Sequence, residues 1–157
     1  MNKSETLTVT APTDHEIVMT RMFDAPRAVV FATWTQTEHV VHWWDPTGVP
    51  LQVCEIDLRI NGTFRWVNRG VDGQSFTGTY REIVEPERIV FTSPLIPSSP
   101  DLVTTLIFSV DGLDRTKLVM TILCASVEDR NAVLEMRIDV GTARTLDNLA
   151  AYIREIR

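Results

Sequence analysis

A chain of 157 residues with 44% apolar and 23% charged side chains is the size of one domain with a substantial core. Its 15 basic and 21 acidic residues give a net charge of −6, which argues against a nucleic-acid partner, and no run of Lys or Arg offsets it. There is no membrane-length apolar stretch, and Met1 to Thr13 is polar and lacks the apolar centre of a secretion signal, so no membrane association and a cytoplasmic location are expected.

Residues 1–13 read as a flexible N-terminal tail and 14–157 as a single domain. Glu16 to Phe23 alternates as a strand, with Ile17, Met19 and Arg21 on one face and Val18, Thr20 and Met22 on the other. Asp24-Ala25-Pro26 then starts a helix. Asp24 is placed to cap it, and Pro26 suits the first turn, where no N–H is needed. Val29, Val30, Phe31, Ala32 and Trp34 make this helix mostly apolar, hence buried. Thr37 is placed to cap a second short helix through Glu38 and Val41, which Trp43-Trp44-Asp45-Pro46-Thr47-Gly48 ends as a loop.

Short strands follow over Gln52 to Leu58, Thr63 to Asn68, Ser75 to Val84, Arg88 to Thr92, Leu102 to Val110 and Lys117 to Leu123. Ile60-Asn61-Gly62, Asp72-Gly73, Glu85-Pro86-Glu87 and Asp111-Gly112-Leu113-Asp114 supply turns between them. Ser93 to Pro100, with three prolines and three serines, is a loop. Short strands joined by tight turns indicate an antiparallel meander.

Ser126 to Arg157 reads as a long amphipathic helix. Ser126 caps its start, with Glu128 and Asp129 in the first turn. Leu146, Leu149, Ala150, Ile153 and Ile156, with Ala143 ahead of them, share one face, and Arg144, Asp147, Asn148, Arg154 and Glu155 fall mostly on the other. If continuous, it is about 48 Å long. Such a stripe needs a large curved surface, so the expected fold is α+β: a curved antiparallel sheet of about seven strands around the C-terminal helix.

Several stretches resemble the SRPBCC superfamily (START-like, helix-grip fold) and, within it, homologues of the activator of heat-shock protein 90 ATPase. They are Phe23-Asp24-Ala25-Pro26 with Val30-Phe31 and Trp34; His42-Trp43-Trp44-Asp45-Pro46; Asp57 through Phe64; Gly78-Thr79-Tyr80; Pro86 through Val90; and Leu146 through Tyr152. Together they run from about residue 15 to the end. Two positions depart from the family pattern: Gly141 is followed by Thr142 where the family commonly has tryptophan, and Asn61-Gly62 replaces paired glycines.

The resemblance implies a cavity between sheet and helix for a small apolar or amphipathic ligand. The residues that would line it are Trp44, Phe64, Trp66, Phe76, Tyr80, Phe91, Ile107 and Met120, with Met136 and Val140 on the helix. The same aromatic residues at strand spacing also suit a filled core. Of the adjacent Trp43 and Trp44, one lines a cavity mouth or partner surface, or both plug the end of the barrel.

The chemical candidates are weaker. His39 and His42 at i, i+3 with Asp45 suggest a zinc site, but Pro46 and the double tryptophan break the geometry and a fourth ligand is missing, so no metal is expected. Glu55, Asp57 and Arg59 share a strand face that reads as a solvated charge ladder, and Arg65, Glu82 and Tyr80 are the other polar candidates beside the sheet. Cys54 and Cys124 are either neighbours across the sheet or two buried thiols. No GxSxG or phosphate loop is present, so neither catalytic residues nor cofactors are assigned. Three readings follow: a ligand-binding module, a protein-interaction module with a chaperone partner, or an enzyme of the cyclase or hydrolase type on the same fold. Homodimerisation through a strand edge or the first helices is left open.

Overall fold

The computed structural model describes residues 6–70, 73–96 and 99–157. In chain order the elements are β1 (Thr8–Thr10), β2 (Glu16–Phe23), α1 (Arg27–Thr35), α2 (Thr37–Trp43), β3 (Val53–Ile56), β4 (Thr63–Val67), β5 (Ser75–Val84), β6 (Arg88–Ser93), β7 (Leu102–Val110), β8 (Thr116–Leu123), α3 (Val127–Glu135) and α4 (Ile138–Ile156). The strands form one antiparallel sheet in the order β1-β2-β8-β7-β6-β5-β4-β3. This is the α+β helix-grip arrangement expected, with one strand more. The addition is β1, where Val9 pairs opposite Met19, so part of the expected tail joins the sheet edge.

Period-two alternation decides which face of the sheet is covered. Ile17, Met19, Arg21 and Phe23 of β2 are buried, as are Ile89 and Phe91 of β6 and Leu118, Met120 and Ile122 of β8. On β7 the buried residues are Leu102, Thr104, Leu106 and Phe108. Phe31 of α1 meets Phe108 edge to face with ring centroids 5.4 Å apart, which holds the first helix against the sheet. Gly78 gives the Phe64 ring its place: a Cβ there would overlap that ring.

The caps of the early helices differ from expectation. Pro26 occupies the N-cap of α1, and its carbonyl accepts from Val29 and Val30; Asp24 instead pairs with Arg115 at 3.2 Å. Gln36 caps α2, and Thr37 is already helical. Pro26, with its fixed φ, puts the α1 cap two residues after Asp24, whereas at α2 the extended backbone of Gln36 puts the cap one residue before Thr37. At α3 the expectation holds: Ser126 Oγ accepts the Asp129 N–H at 3.1 Å, worth about 1 kcal/mol.

The C-terminal helix is not continuous. It stops at Glu135, passes through Met136 and through Arg137 in the left-handed region (φ 57°), and restarts at Ile138. Leu146, Leu149 and Ile153 of α4 are buried as expected, whereas Ile156 is exposed because it lies in the last, unsupported turn. On its polar side Asp147 reaches inward to Arg21 at 2.6 Å, so a buried guanidinium on β2 ties the sheet to α4.

The turn Asp72-Gly73 and the loop Ser93 to Pro100 fall partly outside the described residues. Among the described residues no helix is long and apolar enough to cross a membrane.

Candidate functional site

A cavity of about 280 Å³ lies between the sheet and the start of α4. Met19, Phe91, Leu102, Met120 and Ile122 supply its sheet wall. Ile138, Gly141, Thr142 and Thr145 supply the helix wall; they stand at i, i+3, i+4 and i+7, one face of a helix. Trp34, Trp44, Pro46 and Phe76 close one end. The polar groups on the wall are Asn68, Ser93, Thr104, Thr142 and Thr145, and Arg137 is the only ionisable residue among the described lining.

The α3–α4 break shapes this space. With Arg137 left-handed, Met136, Arg137 and Ile138 all reach the lining. A Cβ on Gly141 would meet nothing within 4 Å, so the helix leaves room there. Thr142, standing where the resemblance leads one to expect tryptophan, leaves more.

The predicted ligand-binding residues divide into three groups. Trp44, Phe76, Phe91, Met120 and Met136 are on the lining. Phe64, Trp66 and Tyr80 are buried but off it, packed into the aromatic cluster behind Phe76; Phe64 lies 5.3 Å from the Tyr80 ring and 4.8 Å from Trp66. Burial raises the Tyr80 hydroxyl's pKa well above its ordinary value, with Cys54 adding to the shift.

Ile107 and Val140 point away from the cavity. Ile107 has the opposite phase to Leu106 and Phe108, so it sits on the exposed face of β7. Val140 falls between the positions that form the inner face of α4 and is exposed. The lining residues that the sequence reading missed include Met19, Trp34, Asn68, Ser93 and Thr104. Strand alternation from Ile17 would have found Met19, and alternation through Phe64 and Trp66 over the expected strand Thr63 to Asn68 would have found Asn68, although β4 itself ends at Val67.

The two adjacent tryptophans separate. Trp43 is fully buried, its Nε1 donating to the Thr33 carbonyl at 2.9 Å. Trp44 lies against Trp66 at 4.8 Å and stacks on Phe76 at 5.1 Å. Asp45 fixes the loop that places it. Its side chain is fully buried; Oδ1 accepts from the Thr47 N–H and hydroxyl at 2.9 and 2.7 Å, and Oδ2 from the N–H groups of Arg69 and Gly70 at 3.0 and 2.9 Å. Burial pushes the Asp45 pKa up, but the donors from Gly70, Thr47 and Arg69 outweigh it and hold the carboxyl below its ordinary value. From α4, Thr145 donates to the Trp44 carbonyl at 3.3 Å and Asn148 to the Asp45 carbonyl at 3.0 Å.

His39 and His42 both turn to Tyr152 of α4. His39 Nδ1 lies 2.6 Å from its hydroxyl, and the His42 ring stacks on its ring at 5.6 Å. Burial, then Glu38 and Glu155, raise the Tyr152 pKa. Asp45 faces its own loop, so the three do not converge, and no group of three or more ligating side chains occurs among the described residues. Cys54 and Cys124 are both free. They lie on β3 and just past β8, far apart in the strand order, which removes the neighbour option; burial pushes the Cys54 thiol up to about 11. The carboxylate–arginine pairs Glu55–Arg65 (3.6 Å) and Asp57–Arg59 (2.8 Å) are surface contacts.

A curved sheet gripping a C-terminal helix, with an apolar cavity between them, defines a helix-grip protein of the START-like class. A family model described as activator of Hsp90 ATPase homolog 1-like protein matches residues 24–154, and the chain belongs to that family, within the SRPBCC superfamily. No curated protein matches by sequence. Among solved structures, a Rhodobacter sphaeroides protein superposes with a TM-score of 0.84 at 19% identity, covering 96% of this chain and 99% of that one. A Mycobacterium smegmatis protein gives 0.81 at 20% identity, over 92% and 95%. An HSP90 activator from Plasmodium falciparum gives 0.68 at 21% identity, over 87% and 94%.

Proposed function

We propose that the protein binds a small apolar or amphipathic molecule in the cavity between the sheet and α4. The observation that carries this reading is a half-open pocket of about 280 Å³ whose walls are mostly Met, Leu, Ile, Phe and Trp side chains. Binding sites of this kind are concave, mostly apolar and furnished with a few polar groups. Trp44, Phe76, Phe91, Met120 and Met136 would touch the ligand, while Phe64, Trp66 and Tyr80 hold the wall from behind. Arg137, paired with Asp139 at 3.2 Å, is the one ionisable residue among the described lining, which leaves little with which to run acid–base chemistry and favours binding over catalysis.

Native mass spectrometry of the protein from its expression host tests this directly. An excess mass lost on denaturation is expected. Thr142→Trp, which places an indole in the cavity, should abolish that excess while the protein stays folded. If wild type and variant carry the same species, or if neither carries any and no apolar probe raises the melting temperature, the reading fails.

Family membership and the likeness to the Plasmodium falciparum HSP90 activator support a second reading, a chaperone-linked module. Stimulation of the ATPase of a heat-shock protein 90 from the same host by the isolated chain, unchanged by Thr142→Trp, would favour it.

A further inference from the structure

Thr104 stands at the centre of the cavity's sheet wall. It pairs across from Phe91 on β6 and from Ile122 on β8, with Leu102 two residues away on its own strand, and all three are lining residues. Ser93, also on the lining, lies opposite Leu102 and two residues beyond Phe91, which makes it the diagonal neighbour of Thr104; such neighbours are about 7–8 Å apart. Alternation turns both side chains inward, because Ile89, Phe91 and Ser93 are the buried residues of β6, and Leu102, Thr104, Leu106 and Phe108 those of β7. Ser93 is 3% exposed and Thr104 6%. Neither hydroxyl has a hydrogen-bond partner among the described residues. The unpaired Trp34 Nε1 and Asn68 Oδ1 are sealed from all open space, the cavity included, whereas the Ser93 and Thr104 oxygens are not. With the rest of each residue covered, the surface these oxygens keep opens into the cavity.

We propose that Ser93 and Thr104 are two polar contact points on an otherwise apolar wall and make the cavity selective for an uncharged aromatic molecule bearing hydroxyl or carbonyl oxygen. This rests on the cavity-binding reading above. A side-chain hydroxyl donates one hydrogen bond and accepts others, so each point takes either group. No ligand atom has to reach both: one oxygen is held by one hydroxyl, and a second oxygen elsewhere on the ring by the other. Neutral hydroxyls do not offset the desolvation of an ion. Arg137, the ionisable residue among the described lining, is paired with Asp139 at 3.2 Å and its side chain is 69% exposed, so its charge faces solvent and not the sheet wall. Size sets a second limit. An apolar cavity of about 150 Å³ holds benzene, so one of about 280 Å³ takes roughly a dozen heavy atoms. Trp44, Phe76 and Phe91 on the wall suit a flat aromatic body.

The test is calorimetry at pH 7, with protein titrated into 1-naphthol, naphthalene or 1-naphthoate. Wild type should bind 1-naphthol about fivefold more tightly than naphthalene, the value of one well-made hydrogen bond. Thr104→Val keeps the shape of the side chain and removes only the hydroxyl, and Ser93→Ala does the same at its position. The double variant should bring the ratio close to one without weakening naphthalene, and the single variants show which point holds the oxygen. Each single variant should also melt no lower than wild type, because no partner within the protein is lost. Equal wild-type affinity for naphthol and naphthalene, or an unchanged ratio in the double variant, overturns the contact points and leaves the cavity reading standing. A clear fall in melting temperature for either single variant gives that hydroxyl a structural role and overturns the proposal as well. Tightest binding by 1-naphthoate overturns the selectivity for uncharged molecules. Failure of all three probes to bind wild type removes the cavity reading itself, and the contact points with it.

Discussion

Replacing Asp45 by asparagine separates the loop clamp from everything else in the chain. The carboxylate takes four donors, two on each oxygen. Asparagine keeps one oxygen. Aimed at Arg69 and Gly70, it preserves those two bonds and turns its NH2 group towards Thr47. The Thr47 hydroxyl can rotate to accept, but the Thr47 N–H then faces a donor. One buried N–H left unpaired costs about 1–3 kcal/mol, and loss of charge assistance on the remaining bonds adds to it, so about 2–4 kcal/mol is expected. For a domain of this size that lowers the melting temperature by roughly 5–15 °C. The pH dependence provides an independent check. The folded pKa of Asp45 is depressed, so the unfolded chain binds more protons between the two pKa values and stability rises with pH there. The contribution is complete above the unfolded pKa of about 4 and is lost as pH falls through the folded value. Urea melts of wild type and Asp45→Asn should therefore differ most near pH 7 and draw together in acid. A variant within about 0.5 kcal/mol of wild type at pH 7 would refute this account of the loop.

Arg21 and Asp147 form a second asymmetric pair, because Arg21 is 3% exposed and Asp147 is mostly in solvent. Asp147→Ala strands a buried guanidinium and should cost about 1–3 kcal/mol in urea melts, whereas Arg21→Met removes the charge altogether and should cost less; the reverse order would show that the pair is not what holds Arg21 inside. The glycines should split in the same assay. Gly62→Ala drives a Cβ into the Asp57 carbonyl and should destabilise by more than 1 kcal/mol, while Gly141→Ala fills open space on a helix and should stabilise by about 0.5–1 kcal/mol. Equal effects at the two positions would mean that the turn before β4 relaxes freely.

What could be read from the sequence follows the strength of the periodic signal. Seven of the eight strands announce themselves by alternation between turn residues, and Leu146, Leu149 and Ile153 announce the buried face of α4. Thr8–Thr10 does not, because a strand of three residues has too little pattern and owes its existence to the open edge of β2. The break at Met136–Arg137 was equally hidden. Neither residue is a helix breaker by type, and a left-handed arginine is a local conformation that tertiary packing has to hold. The early caps were misread for a related reason: Asp24 and Thr37 have capping chemistry, but Pro26 and Gln36 hold the extended backbone that a cap position requires.

The cavity shows why a list of apolar residues is a poor guide to a site. Trp66 and Phe76 are cross-strand partners on the same face, yet only Phe76 reaches the lining. Which of two neighbouring aromatics is wall and which is filling depends on Trp44, which wedges against both at 4.8 and 5.1 Å. Trp44 in turn stands where it does because Asp45 pins the loop to Arg69 and Gly70, and because Thr145 and Asn148 pin it to α4. The end wall of the site is thus set by a buried carboxylate and by Asn148, neither of which lines the space they define, together with Thr145, which does. Polar residues of that kind carry no periodicity and sit far apart in sequence. Their signal is a buried charge whose every lone pair is used, and only the folded chain displays it.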